Sequence, residues 1–125
     1  PSEAQHGDLG ILCKNDVLIL LSNSGKTREI IELITLSKIL HPDVFVISIT
    51  GKIDSPLATE SDIVLHTGDS EEICPFGLTP TVSTTLMTVI GDIVVVELMK
   101  KIGFTKKEYS KRHHSGYLGQ KSKEE

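Results

Sequence analysis

The sequence predicts an α/β fold in which helices cover both faces of a parallel sheet, as a three-layer sandwich. Three short apolar runs rich in β-branched residues recur at 17–21, 44–49 and 63–66. These runs are apolar without interruption, which is typical of strands buried on both faces of a parallel sheet. Helical patterns separate the runs, and the order strand, helix, strand favours parallel pairing. Three strands make a thin sheet, so we expect at least one more strand before residue 1.

The helices follow from a change in the spacing of apolar residues. Between residues 27 and 40, Ile30, Leu33 and Ile34 lie three and four positions apart, which indicates an amphipathic helix. Thr27 precedes this helix and is expected to help cap it. The predicted helical segments are 4–12, 27–40, 55–60 and 82–102, with a further helix beginning at 105.

The segment 82–102 is apolar on nearly all sides, so we expect a helix that is buried on several sides. Apolar surface beyond the needs of one subunit suggests a homodimer or homotetramer. Asp92 and Glu97 interrupt the segment and argue against a membrane helix. Gly103 ends it. Residues 113–119 are predicted to be a loop, and residues 121–125 a solvated, disordered end.

Length and charge set the class of protein. A chain of 125 residues makes about one domain, which we assign to residues 1–119 with a polar tail at 120–125. The formal net charge is −4 and no basic stripe appears before the tail, so a nucleic-acid partner is not expected. No signal peptide opens the chain, which predicts a cytoplasmic protein without a membrane partner. The chain begins without methionine, as expected of a piece of a longer protein.

The two cysteines suggest packing rather than chemistry. Cys13 and Cys74 lie far apart, with no spacing suited to zinc, so no metal site is expected. Free cysteine behaves as a small buried hydrophobe, and we expect that role for both residues. A disulfide between them stays open.

The bend between the first strand and the first long helix is the strongest candidate for a binding site. Ser22, Asn23, Ser24, Gly25 and Thr27 follow the strand at once. Open parallel sheets bind ligands at the carboxyl ends of their strands, where helix N-termini attract anions. Three hydroxyls and a glycine there fit a phosphate monoester, although the spacing is not that of a Walker P-loop. A serine-rich capping turn is the alternative.

Several titratable residues lie in loops or near the bend and are candidates for acid–base chemistry. They are Glu29, Glu72, His113 and His114. Each alone is more often a solvated charge. A carboxylate and a histidine that converge beside a bound sugar phosphate would suit proton transfer next to a carbonyl group.

Taken together, these residues resemble the SIS (sugar isomerase) domain, and more narrowly the arabinose-5-phosphate isomerases of the capsule and lipopolysaccharide pathway. The superfamily pattern SxSGxTxE occupies residues 22–29, and the more specific run ExCPxGLxPTxSTT occupies residues 72–85. The matching stretches are 6–10, 22–30, 49–51, 72–85, 91–92, 103–104 and 113–119. The resemblance implies a flavodoxin-like or Rossmann-like sheet.

The resemblance also implies an activity and residue roles. That family interconverts D-arabinose 5-phosphate and D-ribulose 5-phosphate through an enediol, without metal or organic cofactor, and arabinose 5-phosphate feeds synthesis of 3-deoxy-D-manno-octulosonate. Glu72 would be the general base, which requires a pKa raised toward neutrality by partial burial. The other implied roles are phosphate binding by Ser22, Ser24, Thr27 and the N–H groups around Gly25, proton shuttling or ring opening by His113, lining of the site by Glu29 and His6, and hydroxyl contacts from Thr84 and Thr85.

The chain departs from that family at identifiable positions. Lys26 stands where the family usually has glutamate, and the residues after His113 lack the usual proline and one glycine. The family's first strand and its active-site lysine would lie before residue 1, so the isolated piece is expected to have an incomplete site. No CBS domains, which often follow in the family, are present before Glu125. A sugar-phosphate sensor that does not turn its ligand over is the alternative function, and a purely structural loop is a third.

Overall fold

The computed structural model describes residues 3–123, and its centre is a three-stranded parallel sheet. The strands are β1 (Val17–Leu21), β2 (Phe45–Thr50) and β3 (Ile63–His66), in the spatial order β1, β2, β3. In the register, Val17 lies opposite Phe45, and Ile47 lies opposite both Ile19 and Ile63. The α/β class and the parallel sheet predicted from the sequence are confirmed.

Helices connect the strands and continue beyond the sheet. They are α1 (Arg28–Leu40), α2 (Pro56–Thr59), α3 (Val82–Lys101), α4 (Lys106–Ser110) and α5 (Gly116–Lys121). The chain divides after Ile90 into two compact units. The Ser55 hydroxyl caps α2 by accepting a hydrogen bond from the Ala58 N–H, and the Thr105 hydroxyl does the same for α4 through Glu108.

The hydrophobic core of the first unit lies between α1 and one face of the sheet. Ile34, Val46 and Leu57 are almost fully buried and pack with Leu20 and Ile30. Full burial of such a side chain contributes about 1.5–3 kcal/mol. This core fixes α1 against β1 and β2, and therefore also fixes the bend that joins β1 to α1.

The other face of the sheet is much less covered by residues 3–123. Its outward side chains are 41–51% exposed and are Val17, Ile19, Leu21, Phe45 and Ile63. The uninterrupted apolar pattern predicted strands buried on both faces, and this prediction is wrong for the described residues. The uninterrupted pattern arises because both faces of the sheet carry apolar side chains. Within residues 3–123, the helix that forms the core packs on one of these faces.

The long helix α3 also departs from expectation. Of its residues, Ser83 and Met87 are buried, whereas we expected burial on several sides. Large apolar side chains of α3 are exposed at Val89, Ile93, Val95, Val96, Leu98 and Met99. By length and composition alone the helix could cross a membrane, although core helices of soluble proteins share these two properties.

Three local predictions were wrong, and glycine explains two of them. Two 3-10 turns, Glu3–His6 and Asp8–Ile11, replace the helix expected over 4–12, because Gly7 between them has φ +123°. Helix α5 begins inside the loop expected over 113–119. There Gly119 packs so closely on the backbone of His113 and His114 that a Cβ would lie 2.8–3.1 Å from it. Helix α5 also extends to Lys121 and so includes the first residues of the tail predicted at 120–125.

The cysteines are free, and neither is buried. Cys13 is exposed and Cys74 is half-buried, so the expected packing role is wrong for both. Cys74 lies in the loop before α3, where its sulfur accepts hydrogen bonds from the N–H groups of Leu78 and Thr79, both at 3.1 Å. These bonds lower the pKa of the thiol to about 7, with the Thr79 N–H as the leading cause.

Candidate active site

The loops that follow the three strands meet at one edge of the sheet. The Ser22 N–H donates to the Ile49 carbonyl at 3.1 Å, and the Thr67 N–H donates to the Thr50 carbonyl at 3.0 Å. The Gly51 N–H donates to the Asn23 carbonyl at 3.1 Å. Because the strands are parallel, this is the carboxyl edge, where open α/β sheets bind ligands.

The bend at residues 22–27 is organised by its own hydroxyls. The buried Ser22 hydroxyl shares a hydrogen bond of 2.8 Å with the Thr27 hydroxyl and accepts one from the Gly25 N–H at 3.2 Å. The Lys26 N–H donates to the Ser24 hydroxyl at 3.2 Å. The N–H groups around Gly25 thus have partners inside the bend, while Ser24 and Thr27 are exposed.

The N-terminus of α1 opens directly from this bend. Thr27 has the extended backbone of a capping residue, but its hydroxyl makes no capping hydrogen bond and pairs with Ser22 instead. The expected side-chain cap is therefore wrong. The first N–H groups of any helix lack intrahelical partners, and no Thr27 side chain caps those of α1, so these groups favour an anion.

The bend is packed tightly against the loop that follows β2. Gly25 has φ +62°, and a Cβ there would lie 2.0 Å from the Ser55 hydroxyl oxygen. A Cβ on Gly51 would lie 2.4 Å from Oδ1 of Asn23. The Gly25 carbonyl also accepts a hydrogen bond from the Leu57 N–H at 3.1 Å. The shape of the bend therefore depends on both glycines and on the neighbouring loop.

Charges around the bend are mixed. Lys26 and Arg28 are exposed, and Arg28 pairs with Glu32 at 3.3 Å. Glu29 is exposed in the first turn of α1. Lys52, after β2, donates a hydrogen bond to Asp69, after β3, and this bond lowers the pKa of Asp69. The cations suit a phosphate, whereas Glu29 is available for a hydroxyl or a cation.

Glu72 is held at the N-terminus of α3. Its Oε2 atom accepts hydrogen bonds from the Thr81 N–H at 2.8 Å, the Thr81 hydroxyl at 2.7 Å and the Val82 N–H at 2.8 Å. A longer contact of 3.4 Å comes from the Ser83 N–H. Hydrogen bonds from Ser83 and Thr81 lower the pKa of Glu72 to about 2. The raised pKa expected of this residue is therefore wrong for this conformation, because donors to the charged form outweigh its partial burial.

Thr84 and Thr85 lie on the first turn of the same helix. Both are exposed, and both hydroxyls donate to the Thr81 carbonyl at 2.9 Å. The structure thus gathers three of the predicted site residues, Glu72, Thr84 and Thr85, around one helix N-terminus. Their shared partner is Thr81.

The predicted residues His6 and His113 belong to different units, His6 to the first and His113 to the second. His6 is exposed in the first 3-10 turn, and the neighbouring Gln5 side chain donates to Glu32 of α1 at 2.7 Å. His113 belongs to the second unit, where it is exposed and its ring lies 5.4 Å from the ring of Tyr109.

The sequence analysis did not identify two residues that shape the candidate site, Ser55 beside the bend and Thr81 beside Glu72. Ser55 lies under Gly25, and its only signal in the sequence is a serine before a proline at the start of a helical turn. Thr81 binds Glu72 across nine positions, which is longer than the reach of a capping box. The available signal was the position of Thr81 directly before the long apolar segment, where a threonine is typical of a helix N-terminus.

A family model for the SIS domain matches residues 1–97 of the chain. The chain belongs to the SIS domain family. The resemblance noted in the sequence is thereby confirmed at the level of the domain.

Curated relatives of this SIS chain are arabinose 5-phosphate isomerases. The chain is 46% identical to KdsD of Escherichia coli (strain K12) over 121 residues, which make up 97% of the chain. The same match covers 36% of KdsD, so the chain spans about a third of the length of that relative.

Solved structures confirm the SIS fold. A putative phosphosugar isomerase involved in capsule formation from Bacteroides fragilis is 65% identical, with a TM-score of 0.91 over 94% of this chain and 61% of the other. The E. coli CFT073 protein c3406, whose structure was determined in complex with arabinose 5-phosphate, is 37% identical, with a TM-score of 0.83 over 89% of this chain and 58% of the other.

Proposed function

We propose that the protein containing this SIS chain is an aldose–ketose isomerase that interconverts D-arabinose 5-phosphate and D-ribulose 5-phosphate. The observation that carries the proposal is the bend at residues 22–27, where exposed hydroxyls adjoin a helix N-terminus without a side-chain cap. The relatives support the substrate, since they include arabinose 5-phosphate isomerases and a protein with arabinose 5-phosphate bound.

In this proposal the phosphate lies at the N-terminus of α1. Ser24 and Thr27 donate hydroxyl hydrogen bonds to it, and the first N–H groups of the helix contribute the positive end of the helix dipole. Ser22 and Asn23 hold the bend in place. The Ser22 hydroxyl bonds to the Thr27 hydroxyl, and the Asn23 carbonyl accepts a hydrogen bond from the Gly51 N–H. The Gly25 and Lys26 N–H groups donate to serine hydroxyls in this structure. If they donated to the phosphate oxygens instead, they would strengthen phosphate binding.

The isomerisation moves one proton between two carbons. Glu72 removes the proton from C2 of the open-chain aldose, the C1 carbonyl oxygen gains a proton, and an enediol forms. The O2 hydroxyl then loses its proton as a carbonyl forms at C2, and Glu72 returns its proton to C1. O2 gives up one proton and O1 gains one, so the protons and electrons balance within the sugar and Glu72 and the isomerisation requires no cofactor.

The remaining predicted residues have supporting roles in the proposal. His113 assists ring opening or carries protons between O1 and O2, as an imidazole can at neutral pH. Glu29 and His6 orient sugar hydroxyls, and Thr84 and Thr85 add hydroxyl contacts beside Glu72. The proposal further places the protein in the cytoplasm as a homo-oligomer, in lipopolysaccharide or capsule synthesis. Only capsule formation is supported by a relative, the B. fragilis protein.

A sugar-phosphate sensor is the second candidate. One observation favours it: Oε2 of Glu72 is engaged in capping a helix N-terminus, and the lowered pKa of Glu72 makes it a weak base. A sensor needs the phosphate bend and no base. The two candidates therefore differ in whether bound sugar exchanges its C2 proton with solvent.

The test is turnover of D-arabinose 5-phosphate in D2O by the full-length protein, followed by NMR. We expect ketose formation, with deuterium at C1 in those turnovers in which the proton held by Glu72 exchanges with solvent before its return. Glu72→Gln should lose at least ~10²-fold of turnover with binding retained. Glu71→Gln, which removes the adjacent exposed carboxylate, is the matched control and should keep wild-type turnover. Binding without conversion or exchange would establish the sensor, and unchanged turnover in Glu72→Gln would remove this residue from the mechanism.

A further inference from the structure

We propose that Thr81 is a positioning residue for the isomerisation, which holds Oε2 of Glu72 and leaves Oε1 as the atom that accepts the sugar proton. The inference rests on the proposed function, in which Glu72 is the base. Thr81 lies directly before α3 and is half-buried.

The two oxygens of the Glu72 carboxylate differ in their hydrogen bonds. Oε2 receives both the N–H and the hydroxyl of Thr81, at 2.8 and 2.7 Å, together with the Val82 N–H. Among residues 3–123, the hydrogen bonds to this carboxylate all end on Oε2. Oε1 thus keeps its lone pairs for a ligand, while three short bonds fix the plane of the group.

The Thr81 hydroxyl also fixes the backbone beside the base. It accepts a hydrogen bond from the Ile73 N–H at 3.2 Å while it donates to Glu72. One hydroxyl therefore holds the carboxylate and the residue that follows it in the chain. A reacting group held at both ends loses little freedom on reaching the transition state, which is the source of catalytic advantage from positioning.

The neighbouring titratable groups do not take this role. Glu71 is exposed, and the Cys74 sulfur binds the N–H groups of Leu78 and Thr79. The hydrogen bonds that lower the pKa of Glu72 come from Ser83 and Thr81. Loss of the Thr81 hydroxyl is therefore expected to have a direct effect on the titration of Glu72.

The experiment compares Thr81→Val, which removes the hydroxyl at nearly constant shape, with Thr81→Ser, which keeps it. Thr88→Val is the matched control, because within residues 3–123 the Thr88 hydroxyl donates to the Thr84 carbonyl of the preceding turn of α3 and makes no hydrogen bond to Glu72. The readouts in the full-length protein are the pKa of the Glu72 carboxyl, measured by carbon NMR titration, and kcat and KM for D-arabinose 5-phosphate.

We expect Thr81→Val to raise the pKa of Glu72 by about 1, as for loss of a hydrogen bond to a charged group. Its kcat should fall at least ~10-fold through lost positioning, with KM within about twofold. Thr81→Ser should restore both quantities, and Thr88→Val should change neither. If Thr81→Val does not fold, Thr81→Ala supplies the same comparison.

Two outcomes would overturn the inference: an unchanged Glu72 pKa in the valine variant, or equal loss of kcat in the valine and serine variants. Failure of the proposed function is a separate result. If Glu72→Gln keeps full turnover, Glu72 is not the base, although the titration still reports whether Thr81 holds the carboxylate.

Discussion

At the scale of single residues, Gly25 determines whether the bend can form. Its φ of +62° lies in the left-handed region, and the Ser55 side chain occupies the space that a Cβ would need. The sequence predicted that this glycine and three hydroxyls fit a phosphate monoester. The structure shows close approach of the neighbouring loop, a contact between residues 30 positions apart that no local pattern indicates.

We expect Gly25→Ala to destabilise the protein by more than the ~1–2 kcal/mol that a left-handed alanine costs. The excess comes from overlap with Ser55, at 2.0 Å from its oxygen and 2.4 Å from its Cβ. Sugar-phosphate binding should weaken as well, because the bend must move. Urea unfolding and calorimetric titration with D-arabinose 5-phosphate measure the two effects.

Gly103→Ala provides the control for this comparison. Gly103, at the end of α3, has nearly the same φ, +63°, but nothing lies within 4 Å of the place that a Cβ would occupy. It should show the cost of the left-handed backbone alone and leave binding unchanged. Equal destabilisation of the two variants would mean that the Ser55 contact contributes nothing.

At the scale of elements, the capping of α3 by Glu72 makes stability depend on acid pH. The pKa of Glu72 is about 2 in the folded protein, against an ordinary value of 4.5. A lowered folded pKa means that the unfolded chain binds the proton more tightly. The stabilisation from Glu72 is therefore fully present above pH 4.5 and is lost as the pH falls from 4.5 toward 2.

We expect the difference in unfolding free energy between the wild type and Glu72→Gln to shrink across this range. Parallel urea titrations at pH 7, 4 and 2.5 measure it. Glu71→Gln is again the control and should follow the wild type at each pH. A constant difference between wild type and Glu72→Gln would show that the capping contacts do not depend on the charge of Glu72.

The elements differ in how far the sequence could predict them. The strands and α1 were predictable because their patterns are local: uninterrupted apolar runs, then Ile30, Leu33 and Ile34 on one side of a helix. Helix α5 was not, since Gly119 resembles a helix breaker but serves close packing on the backbone of residues 113 and 114. The pairing of Glu72 with Thr81 was equally hidden, because it depends on how an irregular loop folds back. The roles of the candidate site residues stay predictions.

At the scale of the whole molecule, residues 3–123 expose a large apolar surface. The outward side chains of β1 and a series along α3 are large, apolar and about half exposed. Contiguous apolar patches of this kind mark interaction sites more often than free surface. Residues 3–123 therefore present surfaces that the complete protein must cover, through other segments of its chain, through further subunits or, for α3, through a membrane.

We expect the full-length protein to sediment as a dimer or tetramer at micromolar concentration, with α3 in the subunit interface. Leu98→Glu, at a position 51% exposed, should shift the mass toward the monomer, because a charge in an apolar interface is costly to desolvate. Ile39→Glu, at an equally apolar and 71% exposed position on α1, is the control and should keep the wild-type mass. A clean monomer for the wild type would contradict the interface, and recovery in the membrane fraction would assign α3 to the bilayer. The charges of Asp92 and Glu97 within the helix favour the subunit interface, where they can reach water at its rim.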